Sequence, residues 1–199
     1  MTSKLALLVL DMQNEMVHPQ GKIGASGYAT IIEDRKVIPN VRKVVDAMRK
    51  ADNHVVFVRV GFRGDYLDTL SRAARVDKLK QSGALQVGSW GLEFPAELAP
   101  LESEMIFTKQ AVNPFFNTGL QTWLFRQGVE TVALCGGFTH LVVDSTARYA
   151  DDSGFRVIIL EDCCASPDPE LHRIEMEKIL PTFGSVMSSD EFISDFSES

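Results

Sequence analysis

Thr131-Val-Ala-Leu-Cys-Gly-Gly-Phe-Thr-His-Leu-Val-Val-Asp-Ser-Thr-Ala147 sets an apolar run against a double glycine and then a helical pattern. Thr131 to Cys135 suits a strand buried on both faces, and Gly136-Gly137 supplies a turn in which the backbone can approach its neighbours closely. With Thr139 as N-cap, a helix is expected over about His140 to Asp152, stopped by Gly154. A strand that hands over to a helix through such a turn is the elementary unit of a parallel α/β sheet. It also presents unpaired backbone N–H groups at the helix start, a site for an oxyanion or carboxylate that needs no side chain. A glycine turn kept only for geometry would read the same way.

Working outward, similar apolar runs occur at Leu5 to Leu10, Val55 to Val60, Met105 to Phe107 and Val157 to Leu160, with a last short one near Gly184 to Met187. Helical patterns separate them. Asn40 to Lys50 puts Val41, Val44, Val45 and Met48 on one face and Arg42, Lys43, Asp46 and Arg49 on the other. Leu120 to Gln127, Glu170 to Leu180 and Asp190 to Phe196 follow. This alternation predicts one domain over residues 1–199, an α/β three-layer α/β/α sandwich on a mostly parallel, Rossmann-like sheet of about six strands. A ligand site is then expected beyond the carboxyl ends of the strands. The segment from Gly61 to Pro100, rich in Gly, Ser and charge, reads as an excursion that covers a site, builds an interface or simply lies on the surface.

Bulk properties narrow the partners. The 199 residues are 45% apolar and 24% charged, with a net charge of −7 and basic residues scattered singly, which disfavours nucleic acid and anionic membranes. No apolar stretch is long enough to span a bilayer. Three cysteines, with Cys163 and Cys164 adjacent, make a poor disulfide framework and point to a reducing, cytoplasmic setting. Gly61 to Pro100 contains no histidine, and His18, His54 and His172 have no partner at ligand spacing, so no metal is expected.

Two charged residues fall at expected strand ends. Asp11 closes Leu8-Val-Leu-Asp11, where a carboxylate serves as a general acid or base, or equally as a cap. Lys109 follows the strand near Met105 to Phe107 and would share that edge, holding the carboxylate and stabilising developing negative charge; a solvated lysine is the commoner fate. Cys135 is expected to pack into the sheet, with its thiol buried.

Taken in order, Asp11 in Leu-Asp-Met-Gln-Asn, Trp90-Gly-x-Glu with Pro95, Glu97, Leu98 and Pro100, Lys109-x-x-x-Asn-Pro-Phe-Phe-x-Thr-x-Leu, Gly136 to Ala147, and Asp162-Cys-Cys-Ala-Ser166 resemble the isochorismatase-like cysteine hydrolases over roughly Leu5 to Met187. The family run reads Gly-x-x-Thr-x-x-Cys-Val-x-x-Thr-Ala, so Thr139, Val143, Thr146 and Ala147 fall in register and Val142 stands where the thiol would be. Valine has no ionisable proton and cannot form a thioester.

The resemblance implies an Asp–Lys–Cys triad in which Asp11 and Lys109 keep their places. It also implies a cis bond at Gly137-Phe138 that aims the N–H groups of Phe138 and Val142 at an oxyanion. Gly137, Phe138, Thr139, Gln13, Trp90 and Phe115 are the expected substrate contacts, with Phe62 and Phe116 as further aromatic walls. True isochorismatases share the missing cysteine and cleave a vinyl ether with the aspartate as acid. They carry a small residue where Val142 fills the space. His140 matches a histidine of their run and reads equally as a solvated first-turn residue.

The expected function is therefore hydrolysis of a small organic molecule by Asp11 acid/base chemistry without cofactor or metal, with isochorismate or a small amide as substrate. The alternative is a catalytically silent member that binds a small carboxylate or a protein partner. A homo-oligomer, dimer or larger, is implied by the family, with Phe192 to Phe196 as an apolar stretch for that interface or for packing on its own domain.

Overall fold

The computed structural model describes residues 4–197. Six parallel strands form one sheet: β1 (Lys4–Leu10), β2 (His54–Val60), β3 (Met105–Lys109), β4 (Val129–Gly137), β5 (Arg156–Ala165) and β6 (Ser185–Met187). Their spatial order is β3-β2-β1-β4-β5-β6, every pairing parallel. The direction of winding reverses between β1 and β4, and the carboxyl ends of that pair open a crevice for a ligand.

Helices cover both faces. They are α1 (Asn14–Val17), α2 (Tyr28–Asp34), α3 (Val37–Lys50), α4 (Ala74–Ser82), α5 (Leu120–Arg126), α6 (Asp144–Asp152), α7 (Pro169–Ile174) and α8 (Ser189–Ser197). Alternation along β1 divides the core: Leu5, Leu7 and Val9 pack with α2, α3 and Phe192 of α8, whereas Ala6, Leu8 and Leu10 pack with α5 and α6. Phe192 is therefore a core residue of its own chain and not part of an exposed apolar face. The side chain of Phe196 lies outside the described residues.

Several local expectations change. Helix α3 starts at Val37, before Pro39, because a proline in the first turn gives up only an N–H that has no intrahelical partner. The helix expected from His140 begins instead as a π-helical turn, Thr139–Val143, with Phe138 at its cap, and only then becomes α6. Glu170 to Leu180 is broken in the same way, α7 passing into a π turn at Glu175–Ile179 and a 3₁₀ turn at Leu180–Thr182. Asp168 caps α7 by accepting from the N–H groups of Glu170 and Leu171. Strand β5 runs on through Cys163 and Cys164, which point to opposite cores.

Candidate active site at the carboxyl ends of β1, β3 and β4

Each strand delivers one part. Asp11 leaves β1 with a left-handed backbone (φ 55°), its N–H bonded to the Val58 carbonyl at 2.9 Å. Two residues on, the Gln13 amide clamps β2, donating to the Val60 carbonyl at 2.8 Å and accepting from the Val60 N–H at 2.9 Å. Lys109 ends β3 and reaches across β2, placing its ammonium 2.8 Å from Asp11 Oδ2. The same Nζ donates to the carbonyls of Ala111 (3.1 Å) and Val112 (2.9 Å), so its three protons are all engaged.

Both partners are buried, Asp11 at 6% and Lys109 at 1% exposure. Removal from water raises the Asp11 pKa above the ordinary carboxylate range, and the neighbouring Lys109 offsets this only in part. Asp11 Oδ1 is buried with no hydrogen-bond partner. A buried acceptor without a partner calls for an explanation, and on a residue that lines a cavity a proton of substrate or water supplies one.

That cavity, of about 230 Å³, is bounded at the strand ends by Asp11, Lys109, Phe138 and Val142. Much of its remaining wall comes from the excursion and β2, through Val60, Phe62, Val76, Leu79 and Leu85, with Met16 and Ile23 after β1 and Gln110 after β3. Val142 is 2% exposed, so its methyl groups are part of the closed floor. Phe138 follows a cis Gly137-Phe138 bond and is held edge-on against Tyr28 (4.5 Å between ring centroids) and parallel to His140 (6.0 Å). Any side chain at Gly137 would strike the Tyr28 hydroxyl, which itself donates to the Ala165 carbonyl at 3.2 Å.

The expected site residues thus separate. Asp11, Lys109, Phe138, Val142 and Phe62 meet at the cavity. Gln13 does not line it, since its amide is spent on the β2 backbone. Trp90 is 44% exposed and packs edge-on against His18, away from the cavity. Phe115 is buried beneath the sheet, stacked between Tyr149 (4.9 Å) and Phe155 (6.3 Å), and Phe116 is exposed. Thr139 is fully buried and does not cap a helix. Instead its hydroxyl meets His172 Nδ1 at 2.9 Å, and His172 Nε2 meets Glu161 Oε1 at 3.0 Å.

His140 is not a solvated residue either. Its Nδ1 lies 2.5 Å from the Ser166 hydroxyl, and burial lowers its pKa and favours the neutral ring. Cys135 is buried beside the Leu8 carbonyl, and burial pushes its thiol well up, which makes it a poor stand-in for a nucleophile. Burial also pushes up the thiols of Cys163 and Cys164. Among the described residues, no group of three or more His, Cys, Asp or Glu could hold a metal ion, and no helix is long and apolar enough to cross a membrane.

The pairing behind Thr139 has a pH signature. Hydrogen bonds from His172 first and Arg35 second lower Glu161 from 4.5 to about 2. A carboxyl with a depressed folded-state pKa contributes stability above its unfolded pKa and loses it as pH falls through the folded value. Melting temperature should therefore decline between about pH 4.5 and 2. Glu161→Gln should flatten part of that decline in thermal melts. An unchanged slope would mean that Glu161 is not tied to His172 and Arg35. Glu161 is half-exposed, so solvent screening keeps the effect modest.

A parallel sheet wound in this order, with a buried carboxylate–ammonium pair at the switch point, defines an α/β enzyme scaffold whose site lies at the strand ends. The chain belongs to the isochorismatase family: the Isochorismatase domain model matches residues 5–191. Among relatives, it is 30% identical over 190 residues to YwoC of Bacillus subtilis, an uncharacterized isochorismatase family protein, covering 96% of this chain and 93% of that one. It is 27% identical over 204 residues to RutB of Acinetobacter baylyi, a ureidoacrylate amidohydrolase, covering 96% and 83%. A crystal structure of a cysteine hydrolase from Pseudomonas syringae superposes with a TM-score of 0.87 at 27% identity, covering 98% and 93%.

Proposed function

We propose that this family member is a hydrolase of a small organic molecule in which Asp11 moves the proton directly, with no covalent enzyme intermediate. The observation that carries this reading is the state of Asp11: Oδ2 is fixed by Lys109, and Oδ1 is buried and unpartnered on a residue lining the cavity. Val142 supplies neither a lone pair nor a proton where the resemblance places a thiol. In the amide reaction, Asp11 takes a proton from water as the oxygen adds to the carbonyl carbon. The backbone N–H groups of Phe138 and Val142 stabilise the oxyanion, and the proton passes to the departing nitrogen as the C–N bond breaks. The amidohydrolase name of the A. baylyi relative supports this order of preference.

The raised pKa of Asp11 favours a second reading, in which the protonated carboxyl acts first. There it would protonate the methylene carbon of a vinyl ether such as isochorismate, and water would add to the resulting cation.

The pH profile of kcat/KM separates the two, because Asp11 works ionised as a base and protonated as an acid. Base chemistry predicts activity that is lost as pH falls through a pKa above the ordinary carboxylate range. Loss on the alkaline side of that same pKa would establish the acid reading instead. A profile flat through this region would remove Asp11 from the chemistry.

A further inference from the structure

The cavity wall carries two cations, Lys109 and Arg75. Lys109 has no proton to spare, since Asp11, Ala111 and Val112 take all three. Arg75 stands on α4, exposed to solvent, and its guanidinium makes a hydrogen bond of 3.3 Å to the Ser71 hydroxyl. It forms no ion pair among the described residues, and Ser71 lines the cavity beside it. Apart from these groups, Asp11 and the Gln110 amide, the side chains lining the cavity are apolar, among them Val60, Phe62, Val76, Leu79 and Leu85.

We propose that Arg75, with Ser71, receives one carboxylate of the substrate, so that the protein takes small monocarboxylates whose apolar body extends toward Asp11. This rests on the reading of Asp11 as the reacting group. A planar guanidinium with free donors matches a carboxylate in two parallel hydrogen bonds, which a point charge does not. A second carboxylate on the same molecule would lie against the apolar wall, where burial of an unpaired charge is costly, or beside the Asp11 carboxylate, where like charge repels it. Isochorismate, a dicarboxylate, is therefore a poor fit, and a single-carboxylate amide suits a mostly apolar lining with one cation free to bind it.

Binding can be read without turnover, by NMR titration of the whole chain with pentanoate, pentanamide and glutarate as probes. Wild-type protein should bind pentanoate more tightly than either of the others, with shifts at the Phe138 and Arg75 amides. Arg75→Gln should weaken pentanoate about tenfold, the loss expected for one charge-assisted contact, and leave pentanamide unchanged. Arg75→Lys should recover part of the affinity. Equal pentanoate affinity in wild type and Arg75→Gln overturns the proposal, as does glutarate binding as tightly as pentanoate, or pentanoate failing to bind wild type. The two readings fail separately. Unaltered pentanoate binding in Arg75→Gln removes the carboxylate anchor and leaves Asp11 chemistry standing, whereas full turnover in Asp11→Asn removes the chemistry and leaves the measured anchor.

Discussion

Gly136→Ala is expected to destabilise the protein by about 4 kcal/mol and to deform the floor of the cavity. Gly136 sits at the end of β4 with φ 120°, a conformation that L side chains rarely adopt. A Cβ there would overlap the backbone carbonyl of Leu10 on the neighbouring strand β1. Because the obstacle is main chain inside a parallel ladder, no side-chain rotation relieves it, and the strand pair flanking the switch point has to separate. The residue that follows Leu10 is Asp11, so the displacement reaches the carboxylate directly. Gly154→Ala is the matched control: it also has positive φ, 87°, with nothing near the added methyl, so only backbone strain remains. Urea unfolding of the two variants should differ by several kcal/mol, with Gly154→Ala losing about 1 kcal/mol. Equal losses would mean that the close approach of β4 to β1 is not what Gly136 serves.

Much of this architecture is legible in the chain because strands buried on both faces read as apolar runs, and each run's end names the residue delivered to the site. Asp11, Lys109 and Gly136 are visible for that reason. Aromatic residue type carries no such direction. Phe115 and Trp90 looked like cavity walls, yet stacking with Tyr149 and Phe155 draws Phe115 into the core, and Trp90 packs on His18 at the surface. Gln13 has the right position but spends both ends of its amide on Val60. Thr139 reads as an N-cap until His172, 33 positions later, is seen to claim its hydroxyl, a pairing that depends on α7 packing against the Thr139–Val143 turn.

The excursion is the least legible part. Beside Phe62, an aromatic wall expected from the resemblance, Leu79 and Leu85 close the cavity through tertiary packing, with no periodicity to announce them. The buried Glu15 carboxylate helps to hold that fold-over, accepting from the N–H groups of Lys22 at 2.7 Å and Leu85 at 3.1 Å. Arg75 had no motif around it, and only the shape of the cavity singles it out.

Asp11→Asn is the other change of large effect, expected to lower kcat/KM by about 10²- to 10⁴-fold, the range for loss of a positioned proton carrier. The amide is isosteric and still offers an oxygen to Lys109 Nζ, which also keeps its bonds to the Ala111 and Val112 carbonyls. Stability should nonetheless fall, by up to about 3–5 kcal/mol, because the buried ammonium loses its counter-charge. Kinetics therefore need to be taken on protein shown by circular dichroism to be folded at the assay temperature. The decisive measurement is turnover by wild type and Asp11→Asn side by side on a set of small monocarboxylate amides and on isochorismate. The account predicts that wild type hydrolyses a monocarboxylate of the set in preference to the dicarboxylate and that folded Asp11→Asn loses this activity. Turnover by folded Asp11→Asn at the wild-type rate would contradict it.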